Sequence, residues 1–199
     1  MSARSTGIIL LAAGDSSRLG QPKQLLHYKE STLLQIAIDA ADEASAKHKL
    51  LVLGANSELI KKSIDLKSIS LTENPDWKDG MSSSLNVALR QLLKLDPEMD
   101  QIITVLSDQP FITSSLINAL IATQTSSGKG IVACRYEDTL GVPVLFDKKY
   151  FDEILDLDGS MGAKKLIFQY PDDRDTVYFP EGKIDIDTLE DYKKLAGEN

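Results

Sequence analysis

The sequence predicts an α/β fold built on an open, mostly parallel sheet, and two observations carry that prediction. Short apolar runs of strand length alternate four times with helical patterns, the order that parallel sheets with right-handed crossovers produce. The first run, "GIILLA" (7–12), is apolar without interruption, as in a strand covered on both faces.

The elements follow in order. "STLLQIAIDAADEASA" (31–46) places Leu33, Leu34, Ile36, Ala37, Ala40, Ala41 and Ala44 near helical spacing, with Ser31 or Thr32 as the cap. "KLLVLG" (49–54) is the second strand, "NSELIKKSI" (56–64) the next helix and "SISLTEN" (68–74) a short strand. "SSSLNVALRQLLKL" (82–95) is an amphipathic helix, "QIITVLS" (101–107) a buried strand, and "TSSLINALIATQ" (113–124) a helix opened by Thr113 or Ser114. After residue 128 the rhythm changes. "GIVACRY" and "GVPVLF" (141–146) lie so close in sequence that a hairpin-like or mixed pairing is expected. Helices at 148–157 and 162–170, short strands in "RDTVYF" and "KIDID", and a helix at 188–196 complete the chain. With no linker or repeat, the 199 residues read as one domain, with a first part to about 128 and a distinct part over 129–199.

Composition narrows the function. A formal net charge of −8 argues against a broad nucleic-acid interface, so any phosphate site must be local. Cys134, the single cysteine, rules out an internal disulfide and a cysteine-cluster metal site, and its strand context gives it a packing role. "MSARSTG" has no apolar stretch of a secretory signal and no run approaches a membrane span, so a cytoplasmic protein with no membrane partner is expected. His27 and His48 have no His or Cys partner at ligand spacing and read as bystanders.

The first strand empties into "LAAGDSSRLGQPKQLL" (11–26) at the sheet edge where ligands of open α/β folds bind. Gly14 and Gly20 allow positive φ and close backbone approach, Arg18 offers a fork for phosphate and Lys23 a point charge. The loop is no P-loop, because five residues separate Gly14 from Gly20 and Gln21-Pro22 precede Lys23. The dinucleotide pattern G-x-G-x-x-G is absent as well. An anion site of another design and a plain surface turn both remain. In "ENPDWKDGMSSSLNVAL" (73–89), Ser82, Ser83 or Ser84 caps the helix or helps offer its N-terminus to a ligand. Trp77 reads as a loop anchor. Asp108 closes the apolar strand ahead of Gln109 and Pro110, placed either to accept turn N–H groups or to hold a metal beside phosphate. Asp187, with Glu190 three residues on, has the spacing of a capping box, and Thr188 serves that role equally well.

On these residues the chain resembles nucleotidyltransferases of the nucleotide-diphospho-sugar transferase fold, whose signature loop is L-A-A-G-x-S-x-R-x-G-x-P-K. It is most similar to their molybdenum-cofactor cytidylyltransferase branch. "GMSSSL", "LSDQPFIT", "GVPVLF", "GSMGAKKLI" and "DIDTLEDY" match later blocks in order. The resemblance implies a three-layer, Rossmann-like fold and transfer of CMP from CTP to the phosphate of molybdopterin, with Mg²⁺, releasing pyrophosphate. It also implies a molybdoenzyme partner. The "LAAG" and "PK" forms, where guanylyl-transferring relatives have Ala-Gly-Gly and Asp-Lys, favour CTP over GTP. Carried over by position, Arg18 and Lys23 are catalytic, and both bind nucleotide together with Leu11, Ala12, Ala13 and Gly14. Gly80, Ser83 and Ser84 contact base or ribose, and Asp108 and Asp187 hold the metal, with Asp185 as the fallback. Gly162 and Lys164 face the acceptor. There the chain departs from the family's Gly-Asp-x-Gly-Ala-Arg, with Ser160 and Lys164 in the Asp and Arg places. Two other readings stand beside this one: transfer to another phosphorylated acceptor, such as a sugar or alcohol phosphate, and a nucleotide- or cofactor-binding helper without turnover.

Overall fold

In the computed structural model, which describes residues 4–16, 19–159, 162–184, 186 and 188–196, the chain begins with β1 (Thr6–Ala12), buried at every position. A 3-10 turn at Lys23–Leu25 and a small ladder, β2 (His27–Tyr28) with β3 (Ser31–Thr32), lead into α1 (Leu33–Glu43). Then come β4 (His48–Leu53), α2 (Ser57–Lys61), β5 (Ser70–Glu73), α3 (Met81–Leu95), β6 (Gln101–Leu106) and α4 (Ser114–Ser127). The remainder is β7 (Ile131–Tyr136), β8 (Thr139–Asp147), α5 (Phe151–Leu155), α6 (Lys164–Gln169), β9 (Arg174–Tyr178) and α7 (Leu189–Ala196).

Seven strands form one sheet in the order β5-β4-β1-β6-β8-β7-β9. β1 is parallel to β4 on one side and to β6 on the other, with Ile8 opposite Lys49 and Ile103. β8 runs antiparallel to both β6 and β7, and β9 is again parallel to β7. The expected pairing of "GIVACRY" with "GVPVLF" is therefore the β7–β8 hairpin, and it joins the later part of the chain to the earlier part through β6.

Both faces of the sheet are covered, which is why β1 carries no polar alternation. Ile8 and Leu10 pack with Leu34, Ile38, Ile117 and Leu120 of α1 and α4. Ile9 and Leu11, one pleat over, pack with Leu85, Leu89 and Leu92 of α3 and with Ile154 of α5. Three layers result. Thr32 caps α1 by accepting from Gln35 N at 3.2 Å, and Thr113 caps α4 by accepting from Leu116 N at 3.2 Å. Ser31 instead lies in the β2–β3 ladder.

Local patterns overreached in three places. The helix expected over 148–157 is a 3-10 turn at Lys148–Tyr150 followed by the short α5. The helix expected over 56–64 shortens to α2. Of "KIDID", Lys183 ends a 3-10 turn that begins at Pro180, and no strand forms at the described Lys183, Ile184 and Ile186. No helix of the described residues is long and apolar enough to cross a membrane.

Candidate active site

From β1 the chain steps outward in one direction to β4 and β5, then returns through α3 to β6 on the other side of β1. Connections diverge at the carboxyl ends of β1 and β6, and in open α/β sheets ligands bind at that crevice. The loop after β1 and the turn after β6 both begin there. Ser107 N ties the two strand ends by donating to Leu11 O at 3.3 Å.

The first loop is held from inside. Gln24, 1% exposed, donates its amide Nε2 to Ala12 O and to Gly14 O, both at 3.0 Å. Ala55 N donates to Ala13 O at 3.0 Å. The turn reverses at Ser16, whose φ of 55° is left-handed, and at Gly20, with φ of 68°. Positive φ was expected of Gly14 and falls on Ser16 instead, whose hydroxyl accepts from Lys23 N at 3.0 Å and steadies the bend. At Gly14 a Cβ would meet no protein atom within 4 Å, so its missing side chain keeps the space in front of the loop clear. Arg18 lies outside the described residues.

Lys23 and Asp108 meet across the crevice. The Lys23 Nζ donates to Asp108 Oδ2 at 2.5 Å, although 85 residues separate them. The other oxygen, Asp108 Oδ1, is buried without a hydrogen-bond partner. Pairing of one oxygen and burial of the other without a donor leaves a carboxylate half satisfied, an uncommon state for a buried group. Gln109 fixes this turn from behind: its Nε2 donates to Val142 O of β8 at 3.1 Å and to Gly182 O at 3.4 Å.

The second loop carries Trp77 and Gly80 into α3. Gly80, with φ of 102°, is the N-cap of that helix, and no side chain caps it. The three serines thus sit inside the first turn, not at the cap, because the reversal needs glycine's φ there. Asn74, 1% exposed, accounts for two of them: its Nδ2 donates to Ser83 Oγ at 2.8 Å and to Ser84 Oγ at 2.9 Å. Ser83 in turn donates to Gly80 O at 2.9 Å, or to Asp76 O at 3.0 Å. Trp77 is the anchor its context suggested. A methyl on Gly54 would stand 2.6 Å from Trp77 Cβ and 2.7 Å from Ala13 O, so Gly54 is where the two loops close together.

A cavity of about 570 Å³ opens between these pieces, within the range of small-molecule sites. Leu11, Ala12, Ala13, Gly14 and Lys23 line one side, and Gly80, Ser84 and Asp108 the other. Asp15, Gln24, Trp77 and Met81 also line it and were not assigned to the site from sequence. Ser83 does not line the cavity; its hydroxyl is spent within the second loop. Gly162 does not line the cavity but is buried against Met81, which does: a Cβ on Gly162 would lie 3.1 Å from Met81 Sδ, and Lys164 is exposed on the first turn of α6. Ser82 N donates to Gly159 O at 3.3 Å, fastening the chain ahead of α6 to the start of α3.

Among the described residues no three His, Cys, Asp or Glu side chains converge as a metal cage. Asp185 and Asp187 lie outside the described residues. The capping box near α7 is formed by its neighbours: Thr188 N donates to Asp191 Oδ2 at 2.9 Å, and Asp191 N donates back to Thr188 Oγ1 at 3.2 Å. Glu190 pairs with Lys194 one turn on. Cys134 is fully buried, and burial pushes its thiol up to about 12, consistent with packing. His48 Nε2 lies 3.3 Å from Asp96 at the far end of the sheet, and His27 offers only its backbone oxygen, to Tyr192 OH at 2.8 Å.

Comparison with known proteins agrees with this architecture. The MobA-like NTP transferase domain matches residues 8–174. Rv0371c of Mycobacterium tuberculosis H37Rv superposes with a TM-score of 0.83 at 30% identity, covering 99% of this chain and 100% of that one. Its crystal structure in complex with manganese gives 0.79 at 28% identity over 98% and 100% of the two chains. Nicotine blue oxidoreductase of Paenarthrobacter nicotinovorans is 26% identical over 196 residues, 94% of each chain.

Proposed function

This chain belongs to the MobA-like NTP transferase domain family, and on that premise we propose that it transfers CMP from CTP to the phosphate of molybdopterin, releasing pyrophosphate. Its sheet is that of the nucleotide-diphospho-sugar transferase fold. The observation that carries the proposal is the Lys23–Asp108 pair at the switch point, with one carboxylate oxygen engaged and the other orphaned in the cavity wall.

In the proposed reaction an oxygen of the acceptor phosphate attacks the α-phosphorus of CTP. The bond from that phosphorus to the bridging oxygen of the β-phosphate breaks, and pyrophosphate leaves with its electrons. A phosphomonoester is already anionic near neutral pH, so no side chain must remove a proton from it. The protein's work is therefore positioning and charge neutralisation. The loop after β1 holds the β and γ phosphates through its N–H groups, and Lys23 leaves Asp108 to stabilise charge growing on the α-phosphate. Arg18 joins the phosphate contacts, Gly80 and Ser84 those to base or ribose, and Gly162 with Lys164 those to the acceptor.

Asp108 fits a divalent cation. Its Oδ1 has no protein partner, and Mg²⁺ needs one or two carboxylates when phosphate oxygens complete its shell. The manganese complex of a 28% identical relative points the same way. Asp187 is the second proposed ligand. When bound, the ion neutralises phosphate charge. A molybdoenzyme is the proposed recipient of the product.

The test is pyrophosphate release from CTP, GTP, ATP and UTP with Mg²⁺ or Mn²⁺, with and without molybdopterin. Release with CTP that requires molybdopterin is the expected result. Release with CTP and only a sugar or alcohol phosphate keeps nucleotidyl transfer and replaces the acceptor. A chain with the helper role, or with the redox activity in the name of its oxidoreductase relative, releases none.

A further inference from the structure

We infer that Gln24 sets the polarity of the phosphate loop: as a positioning residue it turns the loop's carbonyls away, so that a triphosphate meets N–H groups. The inference rests on the nucleotide reading above and concerns a residue which that reading does not use.

A turn at a strand end has both kinds of backbone group to show. Successive N–H groups form an anion-binding concavity, whereas a carbonyl facing a polyphosphate repels it. In this loop three successive carbonyls, those of Ala12, Ala13 and Gly14, are all taken by protein donors. One side chain supplies two of the three bonds. The Gln24 amide nitrogen has two hydrogens, and Ala12 O and Gly14 O accept them, both at 3.0 Å. Burial makes that geometry rigid, since Gln24 is 1% exposed. The same residue follows Lys23 directly. Lys23 N is bonded to Ser16 Oγ at 3.0 Å, and Ser16 Oγ lies 3.4 Å from Gln24 Oε1. Loop carbonyls and the backbone that carries Lys23 are thus fastened to one point.

Glutamine is suited to this task for a chemical reason. Glutamate of the same shape would set an acceptor against two acceptors. Methionine would fill the volume and donate nothing, leaving both carbonyls to seek other donors or to swing toward the cavity.

The experiment measures steady-state pyrophosphate release at varied CTP with Mg²⁺ and a fixed, saturating concentration of molybdopterin, together with inhibition by tripolyphosphate, in the unaltered protein and in Gln24→Met. Expected is a KM for CTP about tenfold higher, the loss of about 1.4 kcal/mol of binding, and tripolyphosphate inhibition weakened in parallel. The kcat stays within about threefold, the signature of binding made equally in ground and transition states. A residue that merely stabilised the fold would lower the melting temperature without this split. If Gln24→Met does not fold, Gln24→Asn keeps a buried amide one methylene shorter, unable to reach both carbonyls, and KM is expected to rise there too. An unchanged KM in the variant that folds, or a fall in kcat alone, overturns the role of Gln24. An unaltered protein that neither binds CTP nor releases pyrophosphate overturns the nucleotide reading itself, and is recognised before any variant is made.

Discussion

The two ends of the sheet handle charge in opposite ways. At the amino end Asp96 Oδ2 accepts from Ser5 Oγ at 2.7 Å and Lys47 Nζ at 2.8 Å, and its Oδ1 accepts from Glu98 N at 3.2 Å. Asp100 beside it accepts from Ser5 N at 3.0 Å and Lys148 Nζ at 3.1 Å, while Arg4 bridges to Asp147. Every oxygen of Asp96 and Asp100 has a donor. At the carboxyl end Asp108 keeps one oxygen without a partner, and the loop opposite spends its carbonyls inward. A closed network stabilises the chain and has nothing left to bind with. An open one gives up some stability in exchange for a ligand's contacts, and the proposed site rests on that asymmetry between the two sets of carboxylates.

The largest expected effect comes from breaking the open end. Lys23→Met and Asp108→Asn are each expected to lower kcat roughly 10²–10³-fold, the scale of losing one preorganised charge at the reacting group. The double variant removes both charges, so no unpaired ion stays behind. Its melting temperature is expected to lie near that of the unaltered protein. Near-normal turnover in either single variant would end the comparison, because the open carboxylate would then have no use.

A smaller effect is expected at the closed end, and it depends on pH. The Lys47 ammonium hydrogen-bonded to Asp96, aided by the Ser5 hydroxyl, holds that carboxyl far below the usual carboxylate range against the opposing push of burial. Asp100 is lowered as well, first by the Ser5 backbone N–H. A carboxyl depressed in the folded chain contributes stability above its unfolded value and loses it as pH falls through the folded one. Asp96→Asn is therefore expected to lower the melting temperature at pH 7 and to converge with the unaltered protein as pH drops below about 4. Lys47 is largely exposed, so added salt narrows the gap too. Turnover at neutral pH is expected to stay unchanged. A gap that widens toward acid would mean that the network does not stabilise through its ionised form.

The same contrast explains what the sequence made legible. Periodicity located β1, β4, β6 and the helices between them, since strands covered on both faces write their burial as continuous apolar runs. It also put Lys23 and Asp108 at the same sheet edge, where the structure joins them. Other features were invisible because their partners are distant or their groups are backbone. Nothing local marks Asn74 as the partner of Ser83 and Ser84, or Gln24 as the donor to carbonyls ten and twelve residues before it. The serine run looked like a cap because serine is a favoured one, yet the φ at Gly80 decided the cap. Near α7 several acceptors offered themselves, and spacing alone did not choose Thr188 and Asp191 as the box.

The smallest effect sharpens the boundary between the two behaviours. Thr113 caps α4 five residues beyond Asp108, with its hydroxyl accepting from Leu116 N at 3.2 Å in an exposed position. Thr113→Ala is expected to cost about 1 kcal/mol of stability, a fall of roughly 2–4 °C in melting temperature for a chain of this size. The KM for CTP is expected to hold, because the turn carrying Asp108 is tied through Gln109 to Val142 O and Gly182 O, not through the cap. Fraying of the first turn of α4 then stops short of the site. A KM that rises along with the stability loss would show that the open end depends on the helix behind it.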